Sequence, residues 1–224
     1  MRLLSMMKTA RPTFNLENSC PSFKLIAGID EAGCGPLAGP VVAGAVIFLT
    51  HDLPRALQSI IHDSKKLTEK KRTAAFKFMR ELSGTVLHYG VGIADVIEID
   101  QLNIGRATRL AMERSVLALP VQPEFALIDG IRKPNLSCPS MTVVKGDATS
   151  LSIAAASIFA KVTRDRLMQT LDLNYPAYGW GRNAGYGTAH HLQAIHTHGI
   201  TPHHRKSFEP IKTMMGVSVQ GELF

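Results

Sequence analysis

The sequence predicts an α/β protein, with a mixed central sheet flanked by helices. Three observations carry that prediction. Short apolar runs rich in β-branched residues recur along the chain, segments with helical spacing lie between them, and a glycine-rich loop joins the first two runs.

The first run, KLIAGID (24–30), has the length and bounds of a buried strand. EAGCGPLAG (31–39) is the loop, and PVVAGAVIF (40–48) is a second strand that pairs with the first as an antiparallel hairpin. Thr68 caps a helix that opens with Glu69, an acid placed where the helix dipole favours it. TVLHYGVGI (85–93) alternates loosely as a third strand. Asn103 caps a further helix on which Ile104, Ala107, Ala111 and Val116 recur near helical spacing. EFALIDG (124–130) and MTVVKGD (141–147) are two more runs, each ending in an aspartate beside a glycine. Residues 150–168 are apolar nearly all round before turning basic, which describes a buried helix capped by Ser150 or Thr149. The part beyond differs in kind: YPAYGWGRNAGYG (175–187) is rich in glycine and aromatics, a short helix follows Thr188, and TPHHRKSFEPIK is basic.

The chain has 224 residues, 45% of them hydrophobic, which suits one large domain and excludes wholesale disorder. Its formal net charge of +7 favours polyanionic partners such as nucleic acid. Cys20, Cys34 and Cys138 are odd in number and widely spaced, so neither a disulfide framework nor a CxxC zinc site is indicated, and a reducing cytosol is the expected location. No window is long and apolar enough to span a membrane. Residues 1–22, with a short apolar patch cut off by Lys8, Arg11 and Pro12, are expected to be a poorly ordered tail.

Asp30 with Glu31, Asp129 and Asp147 lie at or just beyond the ends of three apolar runs. Adjacent strands are only about 5 Å apart, so these acids can converge if the strands are neighbours. Bare convergence is costly: two like charges about 4 Å apart repel by about 4 kcal/mol at an effective dielectric near 20. A divalent cation removes that penalty, and all-oxygen ligands suit Mg2+ or Mn2+. Such a site activates water and neutralises phosphate, as nucleases require. The plainer alternative is that each acid ends a strand or fills a turn, Asp129 before Gly130 being a common turn pair. The adjacent acids Asp30 and Glu31 between LIAGI and AGCG fit an ordinary turn less well.

These residues belong to a longer pattern. GIDEAGCGPLAGPVVAGAV (28–46), DSKKL (63–67), IDQLNI (99–104), LIDG (127–130), VVKGD (143–147), SIAAASIFAKVTRD (152–165), GYGT (185–188) and TPHHRKSF (201–208) resemble, in order, segments of the type 2 ribonucleases H, bacterial ribonuclease HII in particular. The resemblance runs from about Lys24 to Lys212. It implies a ribonuclease H-like fold over residues 23–172 and a C-terminal helical, substrate-binding extension over 173–224. It implies that Asp30, Glu31, Asp129 and Asp147 are catalytic and hold Mn2+ or Mg2+. The implied substrate is RNA paired to DNA, including single ribonucleotides embedded in duplex DNA, cut to leave 5′-phosphate and 3′-hydroxyl ends.

The 2′-hydroxyl is what separates RNA from DNA at a site. By resemblance, the backbone of Gly33-Cys34-Gly35 and the ring of Tyr186 read it; from the residues alone, Tyr186 is a capping aromatic on a glycine-rich loop. The family usually has arginine where this chain has Cys34, so a charge-assisted phosphate contact is lost there, and Cys34 is read as a small neutral filler in preference to a reactive thiol near the site. Ser64, Lys65 and Lys66 either hold a phosphate or form a solvated basic turn. Lys145, Arg164, Arg205 and Lys206 are candidates for a nucleic-acid track, and Asp165 for an ion pair with Lys161. The histidines His190, His191, His196, His198, His203 and His204 lack any zinc spacing, which favours surface and nucleic-acid contacts over a zinc site, and His191 and His204, by resemblance, are structural or close to substrate.

Three other readings compete. Ribonuclease HIII carries an N-terminal domain for which residues 1–23 leave no room. A 3′–5′ exonuclease of the same fold usually separates its first two acids by one residue. A catalytically dead nucleic-acid-binding module would not need four carboxylates, because binding favours basic residues. A monomer is expected.

Overall fold

In the computed structural model, residues 11–62, 64, 65 and 67–220 are described. Residues 1–10, and Asp63 and Lys66 of the DSKKL loop, lie outside the described residues.

Five strands form one mixed sheet: β1 Ile26–Ala32, β2 Val41–Phe48, β3 Leu87–Ala94, β4 Phe125–Asp129 and β5 Ser140–Val143. The order is β3-β2-β1-β4-β5. The β1–β2 and β2–β3 pairs are antiparallel, while β4 runs parallel to both β1 and β5. The hairpin read from the sequence is therefore present. The parallel half places the C-terminal ends of β1, β4 and β5 side by side, the edge where ligands bind in open α/β sheets.

The helices are α1 Asn15–Asn18, α2 Arg55–Ile60, α3 Glu69–Glu81, α4 Val96–Leu102, α5 Ile104–Leu117, α6 Leu151–Asn174, α7 Trp180–Asn183, α8 Ala189–His198 and α9 Ile211–Gln220. Their caps follow the local sequence. Thr68, Ser150 and Thr188 accept the N–H three residues on, and Asn103 accepts from Gly105 and Arg106. Helix α4 adds to the expected elements, and Asp95 and Glu98 form a full capping box at its start.

The sheet buries both faces, and side-chain alternation along the strands sorts its residues between two cores. On one face Val46 and Phe48 meet Ala155, Ile158 and Phe159 of α6. On the other Ile29, Ala43, Ala45 and Ile47 meet Ala107, Ala111 and Met112 of α5. Each large side chain so buried contributes about 1.5–3 kcal/mol. Helix α6 lies close on β1 because Gly28 has no side chain: a Cβ there would fall 2.1 Å from the Ser152 carbonyl carbon.

Two expectations change. Residues 11–22 are not a loose tail: Phe14 and Glu17 are buried, with the Phe14 ring stacked on His51 at 4.1 Å and edge-on to Phe48. The expected domain boundary at 172/173 falls inside α6, which continues to Asn174. Beyond it a smaller core of Tyr178, Trp180, Ile195 and Ile211 packs on Leu37 and Ala38 of the glycine loop and on Met168 of α6. Cys20, Cys34 and Cys138 are free thiols. No helix among the described residues is long and apolar enough to cross a membrane.

Candidate active site

Asp30, Asp129 and Asp147 offer carboxylate oxygens that all lie within 4.8 Å of one another. Register explains the first two. Ile29 pairs with Ile128 in the parallel ladder, so the next residues, Asp30 and Asp129, emerge side by side. Asp147 arrives differently. β5 ends at Val143, Lys145 turns left-handed at φ 57°, and a single 3-10 turn, Gly146–Ala148, carries the acid back toward the strand ends. Asp129 grips that turn by accepting the Gly146 N–H through Oδ1 at 2.6 Å.

Glu31 does not join the three. It shares the parity of Ile29 on β1, which faces α5, whereas Asp30 faces α6. Its Oε1 meets the Cys34 thiol at 3.5 Å and Arg132 at 3.9 Å. The expected convergence of four acids is thus three acids on one side of the strand end, with Glu31 at the rim of the same cleft. Adjacent residues on a strand point to opposite faces, so the pair cannot enter one cluster from the same side.

Burial pushes the Asp30 carboxyl well above its usual range, and the charges of Glu31 and Asp129 push it the same way. Burial also raises Asp129, with Asp147 adding to it, and burial raises Glu31. Three crowded, partly desolvated carboxylates are what a hard divalent cation relieves, and the donor set is all oxygen. Lys65 Nζ lies 3.2 Å from Asp147 Oδ2 and supplies one counter-charge.

The cleft beside these acids measures about 480 Å3, and its walls include every substrate-binding residue singled out from the sequence: Gly33, Cys34, Gly35, Ser64, Lys65 and Tyr186. Gly33 sits at φ +99°, where a Cβ would lie 2.0 Å from Arg164 Nε, so only glycine fits. The half-exposed Tyr186 ring stands over Gly35, its Cε1 3.5 Å from where a Cβ would be. The Cys34 thiol touches Thr108 Oγ1 at 3.3 Å, and burial pushes its pKa up to about 11. It is neutral at physiological pH, as the filler reading requires.

Arg164 and Arg205 are not part of a surface track. Both are fully buried. Arg164 donates to the carbonyls of Ala38, Pro40 and Ala184, and Arg205 to those of Gly33, Cys34 and Gly39. They clamp the glycine loop between α6 and the C-terminal extension. Lys145 and Lys206 do remain exposed. Asp165 pairs with Lys161 at 2.7 Å as expected, and also lies 3.6 Å from Arg72.

His191 and His204 are structural. His191 Nδ1 donates to Tyr186 O, and its Nε2 accepts from Trp180 Nε1 at 2.9 Å and from His204 Nε2 at 3.1 Å. His204 Nδ1 accepts from Thr201 N, so both rings are neutral. Burial lowers both, His204 to about 4.

Sequence reasoning missed Arg72, Thr108, Arg132 and Glu17. Arg72 lines the cleft and holds the basic loop through the carbonyls of Ser64 and Leu67. In KKRT it is indistinguishable from a solvated helix charge. No local signal joins Arg132 or Thr108 to the site, because both arrive by tertiary packing.

The family model for ribonuclease HII matches residues 27–211. A ribonuclease HII of Gluconobacter oxydans is 51% identical over 85% of this chain and 91% of its own length. One from Magnetococcus marinus is 50% identical over 94% of this chain and 99% of its own. The crystal structure of ribonuclease H2 from Pyrococcus horikoshii superposes with a TM-score of 0.71, at 24% identity, over 86% of this chain and 98% of that one. The five-stranded mixed sheet, the acids at its parallel edge and the matched span together place this chain in the ribonuclease HII family, as a ribonuclease H.

Proposed function

We propose that this chain is a metal-dependent endoribonuclease that cuts the RNA strand of RNA–DNA hybrids and cuts at single ribonucleotides embedded in duplex DNA. The observation that carries the reading is that Asp30 and Asp129, which cluster with Asp147, line one cleft with a glycine turn and a tyrosine.

Asp30, Asp129 and Asp147 would hold Mg2+ or Mn2+, with Glu31 completing the ligand set from the rim. When bound, the metal would neutralise the scissile phosphate and activate water. Water adds to phosphorus, the bond to the 3′ oxygen breaks, and that oxygen takes a proton. The ends are a 5′-phosphate and a 3′-hydroxyl.

Recognition belongs to the turn. Arg205 draws the Gly33 and Cys34 carbonyls inward, which leaves backbone N–H groups of Gly33-Cys34-Gly35 for a 2′-hydroxyl. Tyr186 packs against the sugar of the same nucleotide, and Ser64 and Lys65 take a neighbouring phosphate. Residues 23–172 supply the chemistry and residues 173–224 hold the turn and the duplex, in a chain that acts as a monomer.

A labelled duplex with one embedded ribonucleotide tests the reading, with Mg2+ or Mn2+ present. Cleavage on the 5′ side of the ribonucleotide, lost in Asp30→Asn, is the expected result. Binding without cleavage under either metal overturns it.

A further inference from the structure

Asp147 differs from its two partners in how it is held. Asp30 and Asp129 end strands whose ladders fix them, whereas Asp147 sits in a lone 3-10 turn after a left-handed residue. The turn's own hydrogen bonds, Ser150 N–H and Thr149 N–H to Gly146 O, set its shape and not its place. Something outside the turn must fix its exit.

The segment before β1 does so. Thr13 donates its N–H to Thr149 O and accepts the Leu151 N–H, both at 3.0 Å, as a bridge across Ser150. Glu17 Oε1 accepts from Ser150 Oγ and Ser152 Oγ, both at 2.6 Å, and from Ser152 N at 3.1 Å. Ser150 is the N-cap of α6, three residues after Asp147. Phe14, wedged between Phe48 and His51, anchors the arm on the sheet side. Glu17 is 3% exposed, and its Oε2 is buried without a hydrogen-bond partner among the described residues. Burying a half-satisfied carboxylate costs stability, so stability alone does not account for it.

We infer that Glu17 is a positioning residue for Asp147: the arm 13–17 locks the start of α6 and with it the turn that delivers the third carboxylate. This rests on the proposed metal-dependent reading of the site. Groups behind metal ligands typically govern affinity by about 10–100-fold, and here the control is exerted through one cap.

The test compares wild type, Glu17→Gln, Ser152→Ala and Asp147→Asn, alone and combined. In metal-free Glu17→Gln, amides 146–152 are expected to exchange about tenfold faster while those in the middle of α6 are unchanged. Mn2+ affinity, read by electron paramagnetic resonance without substrate, is expected to fall about tenfold, and kcat to fall with KM unchanged. Ser152→Ala is expected to shift Mn2+ affinity in the same direction by less. In an Asp147→Asn background, Glu17→Gln is expected to change Mn2+ affinity no further. Wild-type Mn2+ affinity in folded Glu17→Gln, or an undiminished extra loss in the Asp147→Asn background, overturns the inference. If Glu17→Gln does not fold, unchanged affinity in Ser152→Ala overturns it instead. Failure of wild type to bind Mn2+ or cut would instead sink the reading of the site itself.

Discussion

Arg205 Nη1 donates to the carbonyl oxygen of Cys34 at 3.0 Å, from a side chain with no solvent exposure. With its bonds to Gly33 and Gly39, this guanidinium organises the loop that faces the cleft from 171 residues away in sequence. A charged donor spent on backbone carbonyls fixes geometry where no strand ladder reaches.

Arg205→Lys keeps the charge and loses the fork. At least one charge-assisted bond disappears and leaves a buried carbonyl unpaired, at a cost of about 2–3 kcal/mol. Calorimetry should show melting lowered by roughly 4–12 °C for a chain of this size. Discrimination between a ribonucleotide-containing duplex and plain DNA should fall with it. A variant with wild-type melting and discrimination would refute the clamp.

Asp30→Asn and Glu31→Gln should separate. Asp30 lies in the three-acid cluster and Glu31 at the rim. Asp30→Asn should abolish cleavage and, by relieving crowded charge, raise metal-free stability by about 1 kcal/mol. Glu31→Gln should weaken Mn2+ binding less. Titration calorimetry of both decides, and equal losses would restore a symmetric four-acid site.

Cys34→Arg restores the charge that this chain lacks beside the turn. It should lower KM and steepen the fall of affinity with salt by about one ion released. An unchanged KM counts against it. The wild-type thiol, held up near pH 11, should react with iodoacetamide far more slowly at pH 8 than a free cysteine.

His204 is depressed by burial and by the nearby His191, to about 4. A base with a lowered folded pKa favours the fold above its unfolded pKa near 6.5, and that contribution is lost as pH falls toward 4. Unfolding free energy should therefore fall between pH 6.5 and 4 by an amount on the order of a few kcal/mol, and the melting temperature with it. His204→Gln should start less stable at pH 7.5 and fall more gently. Parallel curves for the two proteins would remove His204 as the cause.

Much of the fold was legible locally. The β1–β2 hairpin, the caps at Thr68, Asn103 and Ser150, and the buried α6 all follow from short-range patterning. The arm 13–17 was not legible, because Glu17 is an ordinary polar residue until Ser150 and Ser152, 133 and 135 positions away, bind it. Arg164 and Arg205 carry basic signatures that suit nucleic acid equally well, and only burial against carbonyls shows their work.

By itself the sequence determined most element types and singled out the candidate acids, since periodicity, capping and turn chemistry act within a few residues. It marked Asp30, Glu31, Asp129, Asp147 and the Gly33-Cys34-Gly35 turn. Only the tertiary structure decided that three acids converge while Glu31 stands aside, that Asp147 rides on a turn, and that two arginines and Glu17 hold the surrounding loops. The reason is physical: strand alternation and parallel pairing set direction, and buried charges declare their role only through the distant backbone they satisfy.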